Sequence, residues 1–365
     1  MIITKPTLLF DKKRAARNLF RMAGKAKKHN LKFRPHFKTH QSAEVGELFK
    51  DYGINSITVS SVTMAEYFAN HGWKDILIAF PVNILEINSI NRLASKIKLS
   101  LLVESVETVE FLSEKLNANV LIYIKIDCGY HRTGVAWNNN TLLTSILSSI
   151  TSTHYLKAVG FLTHSGQTYH AKNSEEVLKI HNDSITKLKE LKSKYSTPGG
   201  ELIVSVGDTP SCSVAESFPG VDEIRPGNFI FYDVMQSQIG SCLTKDIAVG
   251  LAVPVVAKHP ERNEIIVYGG AVHLSKDFGM NDDGTKNFGL VAKYENGGWG
   301  EPLEETFVSK LSQEHGTIHS TEETINEINV GDVVVVLPYH SCLTVDAMRY
   351  LYSTDGKEIS TYLSC

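Results

Sequence analysis

Short apolar runs alternate with helical patterns over the stretch from about residue 31 to residue 225. About eight of these runs are rich in Val, Ile and Leu, a composition typical of strands buried in a parallel sheet. They occupy positions 31–38, 56–60, 75–80, 96–103, 119–127, 156–163, 201–206 and 222–225. A repeat of about 25–30 residues fits a closed (β/α)8 barrel of the TIM type. An open doubly wound sheet is the alternative, and the unbroken repeat favours the barrel.

The sequence changes in character after about residue 241, where helical periodicity largely disappears. Short β-rich runs at 248–257, 264–268, 288–294 and 333–337 are separated by glycine-containing turns, which predicts a mostly β domain. We therefore expect a barrel at 12–240 and a β domain at 241–365, the latter joined by an N-terminal strand within 1–11. A length of 365 residues agrees with two domains, because one core seldom serves so long a chain.

The charge balance excludes several classes of partner. With 37 Lys and Arg against 40 Asp and Glu, the net charge of -3 predicts binding neither to nucleic acid nor to a membrane surface. No apolar run approaches the roughly 20 residues of a membrane helix, and the first residues do not resemble a signal peptide. The cysteines are scattered without a CxxC pair, so we expect reduced thiols and a cytoplasmic protein. They are Cys128, Cys212, Cys242, Cys342 and Cys365.

A lysine flanked by histidines ends the first predicted barrel strand, in the segment RPHFKTH at 34–40. The chemistry of such barrels lies at the C-terminal ends of the strands. If burial and nearby cations lower its pKa, the amine of Lys38 can attack a carbonyl and form a Schiff base. In an extended strand, His36 and His40 would face the same side as Lys38 and could tune it. Taken alone, however, a lysine is most often a solvated surface residue.

The loops after the last two predicted barrel strands contain the segments GDTPSCS at 207–213 and RPGN at 225–228. Both offer glycine backbone N–H groups and small polar side chains that suit an anion. The same residue types dominate ordinary turns, so each segment alone indicates little. Together with Lys38 at the end of strand one, they suggest a phosphorylated aldehyde such as pyridoxal 5'-phosphate.

The segment RPHFKTH resembles the lysine motif RPHxKTH of the D-threonine aldolase/D-serine dehydratase family, which comprises fold-type III pyridoxal-phosphate enzymes related to alanine racemase. Four more segments look like this family: DCGYHRTG at 127–134, GQTY at 166–169, GDTP at 207–210 and RPGN at 225–228. The resemblance extends from about residue 8 to residue 346. It implies an enzyme that binds pyridoxal 5'-phosphate and a D-amino-acid substrate, and that forms a homodimer.

The resemblance also implies roles for individual residues. Lys38 would bind the cofactor covalently and act in catalysis, and Tyr169 would contact the cofactor. The phosphate would be held by Thr209, Gly227 and Asn228. Arg132 is a candidate partner of the pyridine ring, and an arginine in a structural salt bridge is an equally good interpretation.

A candidate metal site follows the last β run, in the segment PYHSC at 338–342. On an extended strand His340 and Cys342 would face the same way and could bind one ion. Imidazole and thiolate suit Zn2+, with Mn2+ or another divalent metal as alternatives, and two protein ligands leave positions open as catalytic sites do. A buried cysteine beside a hydrogen-bonded histidine is the alternative. The resemblance favours zinc, because His-x-Cys is where the family's D-serine dehydratases bind metal, whereas its D-threonine aldolases have aspartate instead of cysteine.

These features predict a lyase that removes water and ammonia from a D-configured β-hydroxy amino acid. A metal-dependent D-threonine aldolase is the first alternative, and an amino-acid racemase or a non-catalytic pyridoxal-phosphate-binding protein is the next. In our alignment Leu162 occupies a position where the family's dehydratases tend to have tyrosine. This difference leaves open whether the substrate is D-serine itself or a D-3-hydroxy analogue.

Overall fold

The computed structural model describes residues 2–196 and 201–364, so Cys365 lies outside the described residues. The chain forms two compact units. One, here called the barrel unit, comprises Arg21–Lys38 and Glu47–Gly227. The other, here called the β unit, comprises Met1–Phe20, Thr39–Gly46 and Asn228–Cys365.

The elements up to residue 227 alternate between strands and helices, as the sequence predicts. The strands are β1 (Thr7–Phe10), β2 (Lys32–Phe33), β3 (Ser56–Val59), β4 (Asp75–Pro81), β5 (Lys98–Val103), β6 (Val120–Asp127), β7 (Val135–Ala136), β8 (Leu156–Leu162), β9 (Ile203–Val206) and β10 (Glu223–Ile224). The helices are α1 (Lys12–Lys28), α2 (Ala43–Lys50), α3 (Val62–Asn70), α4 (Ile87–Ala94), α5 (Val106–Lys115), α6 (Asn140–Thr151), α7 (Ser174–Tyr195) and α8 (Thr209–Val214).

Eight parallel strands form the barrel in the order β2-β10-β9-β8-β6-β5-β4-β3. A parallel bridge between His36 and Thr58 joins the two ends of this order, so the sheet is nearly closed. Side-chain caps begin several helices: Ser61 accepts from Met64 N and Ser105 from Thr108 N. The predicted (β/α)8 barrel with a mostly β region after it is thereby confirmed.

The first barrel strand is shorter than predicted. The run 31–38 forms only β2 and the bridge at His36, and residues 37–40 form a turn. Pro35 lies within the predicted strand and has no N–H to donate, although its carbonyl accepts from Thr58 N (2.9 Å). Lys38 therefore lies in a turn beyond the strand. The neighbours of its side chain are therefore set by the conformation of the turn, and the alternation of side chains along a strand does not predict them.

The barrel interior combines an apolar cluster with a chain of buried polar groups. Leu162 packs with Leu77, Leu102 and Tyr123. Beside them the buried Arg34 donates to Glu223 Oε2 (2.8 Å) and to Asp75 Oδ1 (2.7 Å). The remaining members of this chain reach the barrel mouth and are described with the candidate site.

The β unit is built on a sheet of nine strands. Its elements after residue 227 are α9 (Val234–Ile239), β11 (Val249–His259), β12 (Glu264–Tyr268), α10 (Ala271–Leu274), β13 (Gly279–Met280), β14 (Lys286–Asn287), β15 (Gly289–Glu295), β16 (Gly298–Leu311), β17 (His315–His319), α11 (Glu322–Glu327), β18 (Val333–Pro338), α12 (Ser341–Met348), β19 (Tyr350–Ser353) and β20 (Glu358–Ser360). The sheet order is β12-β17-β16-β15-β18-β11-β1-β19-β20. An additional pairing of β11 with β12 closes six of these strands into a ring.

The N-terminal strand belongs to this sheet. β1 pairs antiparallel with β11 and parallel with β19, so Leu9 lies opposite Gly250 and Tyr352. Its four residues are all buried. In the part of the chain that the structure describes, no helix combines the length and the apolar character needed to cross a membrane.

Candidate active site

Lys38 lies in the turn after β2, and its side chain is exposed rather than partly buried. Its backbone N–H donates to His36 Nδ1 (3.3 Å). The preceding residue, Phe37, is fully buried, and its ring lies 4.8 to 5.0 Å from the rings of Phe49, Phe68 and Trp73. The aromatic contacts anchor the turn from one side, so Lys38 is presented from a rigid support.

Basic side chains from several barrel strands influence one another's pKa values near the C-terminal ends of those strands. Burial and the nearby charge of Lys38 hold the pKa of His164, which follows β8, well below its ordinary value. Lys125 on β6 is only 5% exposed, and burial together with Arg225 lowers its pKa to about 7. The charge of Arg132 contributes to both shifts. These basic groups disfavour one another's charged forms, and a ligand that carries negative charge, such as the phosphate of the predicted cofactor, would relieve that repulsion.

Arg225 connects this region to the polar chain inside the barrel. Its buried guanidinium donates from Nε to Ser205 Oγ (2.7 Å) and from Nη2 to Thr163 O (2.5 Å). Ser205 Oγ in turn donates to Glu223 Oε1 (2.7 Å), the partner of Arg34. The sequence analysis assigned Arg225 no role, although it belongs to the RPGN segment.

The structure brings together two of the residues predicted to bind the cofactor. Thr209 begins α8, and its backbone N–H donates to the hydroxyl oxygen of Tyr169 (3.4 Å). Asp208 caps α8 by accepting from Ser211 N (2.8 Å), and it also accepts from Thr168 Oγ1 (3.0 Å). The turn that carries Tyr169 is thus tied to the loop that carries Thr209.

Arg132 lies in the exposed loop after β6, with its guanidinium carbon 5.0 Å from the centre of the Tyr130 ring. Asp127, which ends β6, accepts from the backbone N–H groups of Gly129 (2.9 Å) and His131 (3.0 Å) and fixes this loop. The predicted contact of Arg132 with a pyridine ring stays a prediction. The guanidinium is close enough to Lys125 for its charge to contribute to the lowered pKa of that lysine.

Gly227 and Asn228 are consecutive residues that were both predicted to hold the phosphate. The Asn228 side chain is buried and donates from Nδ2 to Asp233 Oδ2 (2.6 Å) and Ser341 Oγ (3.0 Å). It also lies 3.6 Å from Cys342 Sγ. The contact of Asn228 with a phosphate stays a prediction. The sequence did not indicate that Asn228 lies near Cys342.

His340 and Cys342 come together, although the reasoning from strand alternation is wrong. β18 ends at Pro338, His340 caps α12, and Cys342 lies in the first turn of that helix. The His340 ring is hydrogen-bonded to the Cys342 side chain, and its Nδ1 lies 2.7 Å from Asp277 Oδ2. Because Asp277 occupies Nδ1, Nε2 is the nitrogen left for a metal.

The acidic and polar neighbours of His340 stabilise its protonated form. Burial lowers the pKa of His340, but the hydrogen bond to Asp277, the Cys342 side chain and the charge of Asp233 outweigh it and raise the pKa to about 10. Within residues 2–196 and 201–364, no group of three or more His, Cys, Asp or Glu side chains could hold a metal ion. A metal held by His340 and Cys342 alone would keep open positions.

Leu162, where a tyrosine was expected, is 1% exposed and lies in the apolar cluster of the barrel. Its environment is that of a core residue. Lys125, Asp277, Arg225 and Thr39 were not among the predicted site residues. Lys125 had one usable signal, because a lysine in the otherwise apolar run of β6 is unusual.

Two family descriptions match the chain. The description "Alanine racemase, N-terminal domain" matches residues 10–234, and "Putative serine dehydratase domain" matches residues 248–354. The D-serine dehydratase of Dictyostelium discoideum is 30% identical, with 94% of this chain and 92% of the relative covered. The D-threo-3-hydroxyaspartate dehydratase of Delftia sp. (strain HT23) is 26% identical at the same coverage.

The solved structures show the same fold. The Delftia enzyme has a TM-score of 0.91 at 24% identity, covering 99% of this chain and 98% of its own. Alanine racemase from Clostridium difficile 630 has a TM-score of 0.66 at 16% identity, with both chains fully covered. The Delftia enzyme has also been solved with a histidine replaced by alanine and, in a metal-free form, with the cysteine two positions further on replaced by alanine. The resemblance seen in the motifs is confirmed, and the chain belongs to the alanine racemase-like family of pyridoxal-phosphate-dependent lyases in which that N-terminal domain precedes a serine dehydratase domain.

Proposed function

We propose that the protein is a pyridoxal-phosphate- and divalent-metal-dependent dehydratase of D-configured β-hydroxy amino acids, with D-serine and D-threo-3-hydroxyaspartate as leading substrates. The observation that carries this proposal is the contact between His340 and Cys342, with Asp277 on the ring of His340. The names of the Dictyostelium and Delftia relatives support the substrate class.

The predicted cofactor residues include a group suited to each part of pyridoxal phosphate. Lys38 would bind it covalently, Tyr169 would contact it, and the phosphate would lie at Thr209, Gly227 and the backbone of Asn228. The charges of Arg132 and Arg225 near Lys125, and of Lys38 near His164, support an anionic cofactor. When bound, pyridoxal phosphate supplies an electron sink for negative charge that develops at Cα of an amino acid.

Lys38 would also have a task toward the substrate. Its Nζ would take the proton from Cα, which requires a flexible and accessible amine. The exposed side chain on an anchored turn agrees with this task. His164 donates from Nδ1 to Gly207 O (2.7 Å) and stays neutral at physiological pH, because its pKa is low.

His340 Nε2 and Cys342 Sγ would hold the metal, with Zn2+ as the leading ion and Mn2+ or another divalent metal as alternatives. When bound, the metal supplies a Lewis acid that makes a hydroxyl group a better leaving group. Asp277 fixes the ring of His340 in the orientation that presents Nε2.

Retro-aldol cleavage to glycine and an aldehyde is the second candidate. A 3-hydroxy-D-aspartate aldolase of Paracoccus denitrificans is 25% identical, with 98% of this chain and 90% of the relative covered. The cysteine at position 342 favours dehydration, given the family difference described above. A racemase or a non-catalytic cofactor-binding protein remains a weaker alternative.

The test is an assay of the purified protein with D-serine, D-threo-3-hydroxyaspartate and D-threonine, and with L-serine as control. We expect release of ammonia and a keto acid from at least one D-substrate, and loss of activity with a chelator. Glycine in place of ammonia would establish the aldolase, and inverted substrate would establish a racemase. Ammonia release that is insensitive to the chelator would remove the metal from the proposal.

We further propose a cytoplasmic homodimer. Cys128 and Cys212 are free and buried thiols, which supports a reducing compartment. The dimer rests on the family resemblance alone, and light scattering of the eluting protein tests it.

A further inference from the structure

The Cys342 thiol has polar neighbours in the β unit besides His340. Its Sγ lies 3.3 Å from Thr39 Oγ1 and 3.6 Å from Asn228 Nδ2. Thr39 is fully buried, and Asn228 is 5% exposed. The thiol donates to Thr39 Oγ1, and this hydroxyl could donate in return to a thiolate. One N–H of Asn228 is directed to Asp233, and the other is shared between Ser341 Oγ and Cys342 Sγ, so a thiolate would receive one full hydrogen bond and a shared one.

The Asn228 donor is fixed in direction by an independent set of contacts. Asp233, which is 1% exposed, accepts from Asn228 Nδ2 (2.6 Å) and from Ser341 N (3.0 Å). Its other oxygen accepts from Gln236 N (3.0 Å). The carboxylate therefore joins Asn228 to the backbone at Ser341, the residue immediately before Cys342.

The Thr39 donor approaches from a different part of the chain. Thr39 follows Lys38 in the sequence and lies in the turn at residues 37–40. Two residues later, Gln41 has a positive φ of 56°. Its Nε2 donates to Asp346 Oδ1 (3.0 Å), and its carbonyl oxygen accepts from Tyr362 N (2.8 Å). These contacts hold the segment 39–41 within the β unit, so the position of the Thr39 hydroxyl is determined by the fold.

We propose that Thr39 and Asn228 are positioning residues that hold the Cys342 sulfur as a metal-binding thiolate. The inference rests on the proposed function, because it assumes a divalent metal at His340 and Cys342. Groups that orient a metal ligand typically contribute about 10–100-fold to metal affinity. Thr39 is the sharper test, since Asn228 also lies in a segment predicted to bind phosphate.

The experiment measures Co2+ binding to the cofactor-loaded protein after removal of its native metal. Co2+ bound to a thiolate gives a sulfur-to-cobalt charge-transfer band, and the Cys342→Ala variant identifies that band. Thr39→Val removes the hydroxyl at nearly constant volume, and Thr39→Ser retains it as the matched control. We expect Thr39→Val to bind Co2+ about 10-fold more weakly with a shifted band, and Thr39→Ser to remain close to wild type.

Equal Co2+ affinity and an unchanged band in Thr39→Val would overturn the inference while leaving the metal site intact. A wild-type protein that shows no thiolate band would instead refute the metal part of the proposed function, and the inference with it. Weakening in Thr39→Ser equal to that in Thr39→Val would also overturn it, since the hydroxyl would then be irrelevant. Thr39→Ala serves as a second hydroxyl-free variant, and circular dichroism checks that each variant folds.

Discussion

Lys38 is an exposed amine on a turn whose neighbouring residue is fully buried. The contacts of Phe37 with three aromatic rings fix the backbone, while the lysine side chain itself keeps its freedom. This combination suits a group that must bind a cofactor and then act on a substrate. Burial of Lys38 is therefore unnecessary for its proposed role.

Replacement of Lys38 by alanine should abolish covalent cofactor attachment. After borohydride reduction, mass analysis of peptides should find a pyridoxyl group on Lys38 in wild type and none in Lys38→Ala. Activity should fall by at least about 10^2–10^4-fold, the usual contribution of a positioned proton acceptor. The exposed Lys50 offers a matched control, and Lys50→Ala should keep both the label and the activity. A label that persists in Lys38→Ala would place the cofactor elsewhere.

Replacement of Asp277 by asparagine should weaken metal binding without removing a metal ligand. The neutral amide accepts a weaker hydrogen bond from Nδ1 of His340 than the carboxylate does, which lowers the basicity of Nε2, so we expect about 10–100-fold lower affinity for Zn2+. Titration against a competing chelator measures this change. Asp282→Asn alters an exposed acid nearby in the sequence and should leave the affinity as in wild type. Equal affinities for the two variants would contradict the assigned role of Asp277.

The sequence could identify the residues that occur in compact motifs and little beyond them. Lys38, Tyr169 and Thr209 lie in short segments whose pattern indicates a cofactor. Asp277 is 63 residues away from His340, and no spacing rule relates them. The same is true of Thr39 and Cys342, which only the fold brings within 3.3 Å.

The strands and helices follow local patterns where those patterns reflect burial. The sequence predicts a long charged helix over about 174–195, and α7 has these bounds, because its charged and apolar residues alternate with clear helical spacing. β16 was missed, since its fourteen residues include several charges and few buried side chains. α6 was missed as well, because its serine and threonine residues are weak helix formers.

Helix α7 should make the protein sensitive to acid through His181. Burial, and to a lesser extent the charge of Lys25, lowers the pKa of this histidine to about 4. The unfolded chain then binds more protons than the folded chain below about pH 6.5. The free energy of unfolding should therefore fall as the pH drops from about 6.5 to about 4, by up to about 3 kcal/mol.

Denaturant unfolding at about pH 7.5 and about pH 5 measures this loss. In His181→Leu the difference between the two values should shrink, because the buried titrating group is gone. The exposed His71 offers a control, and His71→Gln should keep the wild-type difference. If His181→Leu retained the whole difference, another group would be responsible for it.

The molecule consists of two units that differ in how their interiors are filled. The sheet of the β unit is lined with aliphatic residues such as Val253, Val291 and Val335, all fully buried. The barrel unit instead encloses the charged pair of Arg34 and Glu223, with exposures of 1% and 0%. A buried ion pair depends on both partners, because a lone charge in an apolar interior is costly.

Arg34→Met should therefore destabilise the whole protein. It leaves Glu223 without its main partner, and removing one member of a buried pair typically costs about 3–5 kcal/mol. Guanidinium unfolding measures the loss. The exposed pair of Arg92 and Glu66 is the matched control, and Arg92→Met should cost less than about 1 kcal/mol. Equal effects of the two substitutions would show that Arg34 contributes no more than a surface residue.

The polar chain from Asp75 through Arg34, Glu223 and Ser205 to Arg225 has a practical consequence for laboratory evolution. Asp75 begins β4 at the far end of the barrel, whereas Arg225 follows β10 at the mouth and helps to lower the pKa of Lys125. In a screen for altered substrate preference, we expect substitutions at Asp75 and Ser205 among the variants whose turnover number changes. Libraries confined to residues that touch the substrate would overlook them.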